Sequence, residues 1–440
     1  MADVPAALPQ SAEVQPADLK KPRPSIRELL ATTEVDVRLF GMVVALLAIV
    51  LGFGVVTGGR YLEPGNLITM SVQAAAVAII ATGMVLVIVS RNIDLSVGSI
   101  VGVVAMSYAL LMTDILPPLF GFENPITWIV ALALGILIGG AIGGIQGFII
   151  AYVGVPSFVV TLGGLLIFRG LTWVLSSGAS VSGLDPTFQL LGGGPLGSMG
   201  GTASWALGLI ICAGIVGLAV YNRGRRRKFG FPVRPKWTEV LLVVVGCFVT
   251  LGLIYIANSY HWPRPLTVRY AQEHGLNPDG LVIESGVPWP LVMVIGVTVA
   301  MTFIARRTRF GRYVFAIGGN PEAAELGGIN TRWTIMKTYI LIGVLCAISA
   351  AIASARLNGS TLDVGSGYEL YVIAAAVIGG TSFAGGIGTI PGAVLGALVM
   401  QSLAFGLSFI GLSSPVQNMV AGLVLIVAVG FDSWNRRRSG

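Results

Sequence analysis

Apolar positions gather into twelve blocks, at about residues 39–56, 67–90, 97–116, 126–151, 156–175, 204–221, 239–257, 288–305, 335–355, 368–380, 390–408 and 416–431. About 20 apolar residues carry a helix across the hydrocarbon core of a bilayer. The blocks approach that length, although the fifth contains Arg169 and the tenth is short. The pattern predicts an all-α integral membrane protein, a polytopic bundle of about 12 transmembrane helices over residues 37–432. Residues 1–36 hold five prolines, several charges and no apolar period, and read as a disordered tail. Residues 433–440 form a short basic tail. The first apolar block begins near Phe40 with no small-residue cleavage site after it, so it reads as a retained helix and not as a signal peptide.

Composition supports a lipid solvent. Only 11% of residues are charged and 55% are apolar, with a mean hydropathy of +0.85. A soluble chain carries roughly a quarter of its residues as charges. The net charge of +7 does not mark a nucleic-acid surface, because the basic residues sit in short tracts at block ends, as the positive-inside bias requires. With the N-terminus in the cytoplasm, cytoplasmic segments receive Lys20, Lys21, Arg23, Arg27, Arg38, Arg91, the Arg223–Lys236 cluster, Arg306, Arg307, Arg309, Arg312, Arg332 and Arg436 to Arg438. External segments keep Arg60, Arg264 and Arg269, with Arg356 at a border. Both termini are therefore expected in the cytoplasm. Cys212, Cys247 and Cys346 all lie within apolar blocks, which indicates buried small hydrophobes and no disulfide framework.

Gly135, Gly139, Gly143 and Gly147 recur every four residues and would line one face of the fourth helix. Lipid supplies no hydrophobic drive between helices, so such a stripe allows the close backbone approach that packing needs. The 258–288 region, with its prolines, tryptophan, charges and both histidines, is the one substantial external excursion. His261 and His274 lack metal-ligand spacing, and no metal site is expected. No lysine follows a glycine, so no phosphate-binding G-x-x-x-x-G-K-[ST] loop exists. No nucleophile–base pair is recognisable either, so no catalytic residue and no cofactor is expected. Ionisable residues at membrane depth are confined to Arg169, Asp94 near a helix end and Glu369. Pumps coupled to protons or ions usually carry more, so the driving energy must come from a partner or a gradient.

Three polar interruptions stand out. In RRTRFGRYVFAIGGNPEAAELGGINTRW (Arg306 to Trp333), Asn320 suits an N-cap, Pro321 the first helical position and Glu322 the first turn, while Gly327 and Gly328 stop the helix. A helix of about two turns is marginal by itself in water. It either rests on its own subunit or forms a knob for another protein, with Ala323 and Ala324 permitting close approach. NIDLSVGS (Asn92 to Ser99) offers Asp94 and Ser96 as caps for the next helix. GGTSFAGGIG (Gly379 to Gly388) allows close contact or a cavity-lining unwound backbone. SVGSIVG and GIGTIPG in the last two stretches echo each other too briefly to establish a repeat.

IDLSVGS (Ile93–Ser99), VPSFVVTLGGLLIFRG (Val155–Gly170), FGRYVFAIGGNPEAAELGGIN (Phe310–Asn330) and VIGGTSFAGGIG (Val377–Gly388) resemble permeases of the ribose/xylose/galactose branch of ABC sugar importers. The blocks occur in the family's order. Within the branch the chain is similar to xylose-type permeases, which place three spans and a basic loop between the second and third of these blocks. The expected fold is thus a 10-helix family core plus a two-helix insertion.

The resemblance implies a membrane-spanning subunit, not itself an enzyme, that imports D-xylose or a related aldose across the bacterial inner membrane. It further implies a homodimer, a cytoplasmic ABC ATPase and an extracytoplasmic sugar-binding protein as partners, with membrane lipid around the chain and no nucleic acid. Residues 306–334 then correspond to the coupling loop, and Asn320, Pro321, Glu322, Ala323, Ala324, Glu325, Leu326, Gly327 and Gly328 to the coupling helix. Gln73, Asn92, Ser96 and Tyr368 are candidates for the translocation pathway, each equally able to cap a helix or bond a neighbour. The alternative is a 12-helix secondary sugar transporter driven by an ion gradient.

Overall fold

The computed structural model describes residues 37–439 except 123, 232 and 234; the tail read over 1–36 lies outside the described residues. Each of the twelve apolar blocks is a helix. In order the α-helices of six or more residues are α1 (Val37–Val56), α2 (Pro64–Val89), α3 (Val97–Leu110), α4 (Pro125–Phe148), α5 (Ser157–Ser176), α6 (Gly201–Lys228), α7 (Lys236–Asn258), α8 (Arg264–His274), α9 (Trp289–Arg307), α10 (Arg309–Gly319), α11 (Pro321–Leu326), α12 (Thr331–Leu357), α13 (Tyr368–Ile378), α14 (Ile390–Phe409) and α15 (Ser414–Ser439). The short helices α8, α10 and α11 lie between blocks. Among the described residues ten helices are long and apolar enough to cross a membrane, with α3 counted through its continuation to Ile115, and α13 and the apolar part of α15 are shorter. The last helix continues to Ser439, through most of the stretch read as a short basic tail over 433–440.

Burial inverts the pattern of a water-soluble protein. The central helix α2 is 94% buried in its most apolar window, whereas α1, α6 and α7 are 11% buried in theirs. Large apolar side chains such as Ile210, Leu218, Val244 and Phe248 stand exposed on the outer helices. Water would penalise that surface at about 25 cal/mol per Å²; lipid does not. The successive spans alternate in direction, so Arg91, Arg223 to Lys228, Arg306 to Arg312 and Arg332 share one end of the bundle, called here the basic face.

The glycine stripe explains the contact between α4 and α12. A Cβ on Gly139 would overlap the Gly343 carbonyl oxygen, and one on Gly143 the Tyr339 carbonyl oxygen. One on Gly147 would lie 2.9 Å from the Met336 Cα. Gly135 meets the Tyr108 ring of α3 instead. Three of the four glycines thus let two backbones touch, the contact that lipid cannot drive by hydrophobicity.

The tenth block departs from a simple span. Helix α13 has 11 residues, about 16 Å at 1.5 Å per residue, against a hydrocarbon core of about 30 Å. Irregular backbone completes the crossing. On one side, residues 361–367 run inward after the two-residue pairing of β1 (Val181–Ser182) with β2 (Gly359–Ser360). Gly365 and Gly367 there have φ of 77° and 79°, a left-handed backbone that only glycine adopts without strain. The Gly365 carbonyl lies against Gly98 at the start of α3, where a Cβ would overlap it. On the other side, residues 379–389 return to the basic face. Part of the first stretch lines a cavity, and glycines of both pack on neighbouring backbone, the settings in which membranes tolerate irregular segments.

The 258–288 excursion is an ordered cap on the face opposite the basic one. Met199 N–H donates to Val287 O (3.0 Å), Gly200 N–H to Ser285 O (2.9 Å) and Ser285 N–H to Tyr260 O (2.9 Å). His261 pairs across a bridge with Glu284. The His274 ring stacks on Tyr270 at 4.0 Å.

Candidate functional site: a polar cavity joined to a surface knob

A cavity of about 430 Å³ opens among α2, α13, α14 and the start of α15, within the usual size range of small-molecule sites. Gln73 of α2 and Gln401 of α14 meet across it, the Gln401 amide donating to Gln73 Oε1 at 3.1 Å. Tyr368 and Tyr371 enter from the first turn of α13, and Asp363 and Ser366 from the irregular strand before it. Ser408, Ser414, Gln417 and Asn418 complete the polar wall, with Phe405 as an apolar face. Gln73 is nine residues into α2 and Gln401 eight before the end of α14, which places the amide pair about 12–14 Å below the face opposite the basic one. Amides, hydroxyls, one carboxylate and aromatic faces at membrane depth can hydrogen-bond a polyhydroxylated neutral solute and stack against its ring.

The structure brings together two of the four residues read as pathway candidates, Gln73 and Tyr368. Asn92 and Ser96 lie elsewhere. The Asn92 amide donates to Ser90 O at 3.0 Å and Ser90 Oγ at 3.2 Å. Ser96 lies in a buried cluster near the basic face. Asp94 Oδ1 accepts from the Ser96 N–H (2.8 Å) and hydroxyl (2.6 Å), and Ser96 Oγ accepts from the Gln146 amide at 3.0 Å. Tyr339 of α12 donates to Ile93 O at 3.3 Å. This cluster ties the α2–α3 connection to α4 and α12, and it contributes no wall to the cavity. Sequence reasoning missed Asp363, Ser366, Gln401, Gln417 and Asn418. Gln401 was discoverable, because a glutamine in the middle of an apolar block is costly in lipid unless it faces a partner or a cavity.

The interruption at Arg306–Trp333 folds as α10, α11 and the entry to α12. Asn320 caps α11, its Oδ1 accepting from Ala323 N–H at 3.0 Å, and Pro321 takes the first helical position. Gly328, at φ 80°, ends it. The two alanines differ from the expectation of a shared outward face: Ala323 is exposed, but Ala324 is 6% exposed and packs inward. Leu326, which the alanine argument overlooked, is 91% exposed at the tip. A leucine so fully wetted forgoes about 1.5–3 kcal/mol that burial would supply.

Knob and cavity share elements. Arg91, at the end of α2, donates from Nε to Gly318 O (2.8 Å) and from Nη2 to Gly319 O (2.7 Å), capping α10 where its helix dipole is negative. Gly386 N–H donates to Val89 O at 3.0 Å, joining the stretch after α13 to the same point. Gly318 makes both contacts possible: a Cβ there would overlap Val89 O and lie 2.5 Å from Gly386 N. Helix α2, and α13 together with the stretch that follows it, therefore each run from the cavity wall to the base of the knob.

Known proteins similar in sequence to this chain are transport permeases. The family model described as branched-chain amino acid transport system / permease component matches residues 66–429. The Xylose transport system permease protein XylH of Escherichia coli (strain K12) is 35% identical over 424 residues, covering 96% of this chain and 99% of that one. The protein of the same description from Haemophilus influenzae is 35% identical over 404 residues, 92% of this chain and 98% of that one. The Ribose import permease protein RbsC of Escherichia coli (strain K12) is 30% identical over 371 residues, 84% and 85% of the two chains. No solved structure matches.

Proposed function

The chain belongs to the branched-chain amino acid transport system / permease component family, and on that premise we propose that it is the membrane-spanning subunit of an ABC importer for a monosaccharide, D-xylose or a related aldose. The observation that carries the sugar assignment is the 35% identity with a xylose transport system permease protein across 96% of this chain. The cavity is compatible in chemistry, since its side chains are neutral hydrogen-bonding groups with a single carboxylate, Asp363. An amino-acid substrate would call for a paired cation and anion to hold its zwitterion. Family membership takes the place of the gradient-driven alternative.

In the proposed working cycle the connections already described carry motion from the knob to the cavity. The basic face lies in the cytoplasm, and both termini with it, in keeping with the positive-inside bias. A cytoplasmic ATPase grips α11, with Leu326 entering an apolar recess and Ala323 allowing close approach. A sugar-binding protein delivers cargo on the opposite face, above the cavity. ATP-driven movement of the knob pulls on α10, and through Arg91 and Gly318 on α2 and the Gly379–Thr389 stretch. Helix α2 carries Gln73, and the stretch continues α13, which carries Tyr368 and Tyr371, so the cavity wall changes shape when the knob moves. Two copies of the subunit act together in the assembled importer.

The test is reconstitution. In proteoliposomes, uptake of labelled D-xylose should require this chain, ATP and a co-purifying ATPase, and should be accelerated by the binding protein. Accumulation of sugar by the purified chain alone, driven by an ion gradient, would falsify the reading.

A further inference from the structure

Apart from the transport machinery, the α6–α7 hairpin holds a second cavity, about 500 Å³ in volume, at the basic face. Its upper wall carries Arg223, Arg225, Arg226 and Glu239. Among the described residues the lining holds three arginines and one carboxylate. Arg223 pairs with Glu239, and the Arg225 guanidinium lies 5.8 Å from the Tyr221 ring centroid. Below the charges the wall is apolar: Ile215 and Ala219 come from α6, Leu242 and Val243 from α7. Phe229 and Phe231 border the mouth.

A positive-inside bias accounts for arginines near the ends of spans, since it needs only their charge. It does not account for a concave site in which the arginines stand above an apolar floor. Here charge and apolarity are stacked along the membrane normal, as they are in a phospholipid. The floor lies about two to four turns inside α6 and α7, at acyl-chain depth, and the arginines occupy the last turns of α6, at headgroup depth. The outer surface around it is already lipid-facing, with Val220 and Val240 67% and 60% exposed. Basic cavities between spans on the cytoplasmic side are known to take anionic headgroups.

We propose that this cavity binds one anionic phospholipid, with its phosphate held by Arg225 and Arg226 and its acyl chains lying along Ala219 and Leu242. The inference needs only the membrane-spanning fold and is independent of the sugar reading. Such a lipid would brace the hairpin against the bundle.

The test is native mass spectrometry of the full chain in mild detergent with equal amounts of phosphatidylglycerol and phosphatidylcholine. One retained phosphatidylglycerol per chain is expected in preference to phosphatidylcholine. The double variant Arg225→Gln/Arg226→Gln should weaken retention by about 25-fold, at roughly fivefold for each basic residue near a membrane surface. Ala219→Phe, which fills the floor and leaves the charge unchanged, should also reduce it. Arg227→Gln, at an exposed position off the lining, should not. Each variant is first required to match the parent in size-exclusion profile; should the double variant fail, the Ala219→Phe and lipid-preference arms decide. Equal retention of the two lipids, or an equal loss in Arg227→Gln, overturns the proposal in favour of diffuse charge. Displacement by millimolar inorganic phosphate overturns it in favour of a free-anion site. A photo-crosslinker at the Phe231 position should capture lipid, and capture of a protein chain there overturns the proposal as well.

Discussion

Replacing Gly318 with alanine tests whether the knob drives the cavity. Gly318 lies one residue from the end of α10, and by helix propensity alone alanine should be favoured there by about 1 kcal/mol. The surroundings reverse that sign. The new Cβ would overlap the Val89 carbonyl oxygen and lie 2.5 Å from Gly386 N, where ordinary contact begins at 3.4 Å. Both obstacles are backbone atoms of other elements, so no side-chain rotation relieves them. Overpacking of this kind costs about 1–3 kcal/mol, and more where nothing yields. The relief available is to lift α10 away from the end of α2 and from the stretch after α13, which also lengthens the Arg91 bonds to Gly318 O and Gly319 O. Neighbouring Gly319 is the control, because a Cβ there meets nothing within 4 Å. In proteoliposomes holding the ATPase and binding protein, Gly318→Ala should keep ATP hydrolysis but lose about tenfold in sugar uptake, corresponding to a net 1.4 kcal/mol withheld from the productive arrangement. Gly319→Ala should transport within about twofold of the parent. If Gly318→Ala transports at the parental rate, the contact among Gly318, Val89 and Gly386 transmits nothing, and the connection between knob and cavity has to be sought elsewhere.

Other expectations can be checked with the same preparation. Leu326→Asp, at a 91% exposed tip, should leave thermal stability within about 0.5 kcal/mol of the parent yet abolish co-purification of the ATPase; retained co-purification removes Leu326 from the interface. Gln401→Leu removes the amide bonded to Gln73 and should raise the sugar concentration needed for half-maximal uptake about fivefold, in line with a bond of about 1 kcal/mol; an unchanged value places the cavity off the route. Gly143→Ala should lower the detergent melting temperature because its Cβ overlaps Tyr339 O, whereas Gly144→Ala, 3.5 Å from the Ile340 side chain, should leave it unchanged or raise it. Similar melting temperatures for that pair would show that α4 and α12 separate without cost.

What could be read from the chain, and what could not, follows from the physics of each feature. The spans were legible because a bilayer imposes one demand, about 20 apolar residues, on every helix that crosses it. The glycine stripe was legible because a four-residue spacing survives as a face of a helix. The cap at Asn320 was legible because capping is local: Asn320 and Ala323 are three residues apart. Tertiary placement was not. Nothing in the spacing of Asn92 and Ser96 distinguishes them from Gln73 and Tyr368, yet the first pair bonds within its own connection and the second faces a cavity. The half-span α13 showed in the sequence only as a short tenth block, without the backbone that completes it. Its 11 residues follow an irregular strand whose backbone is accommodated only because Gly98 of α3, more than 260 residues earlier, leaves room for the Gly365 carbonyl. That arrangement answers a question left open by the glycine-rich Gly379–Gly388 segment, which could equally have served close helix contact or an unwound, cavity-lining backbone. It packs at the basic face against Val89 and Gly318, while the cavity is lined by the irregular strand at the other end of α13. A short helix flanked at both ends by irregular backbone can tilt without bending a continuous helix, which a full-length span such as α2 cannot do. The element best suited to move is therefore the one that joins Tyr368 and Tyr371 to the base of the knob.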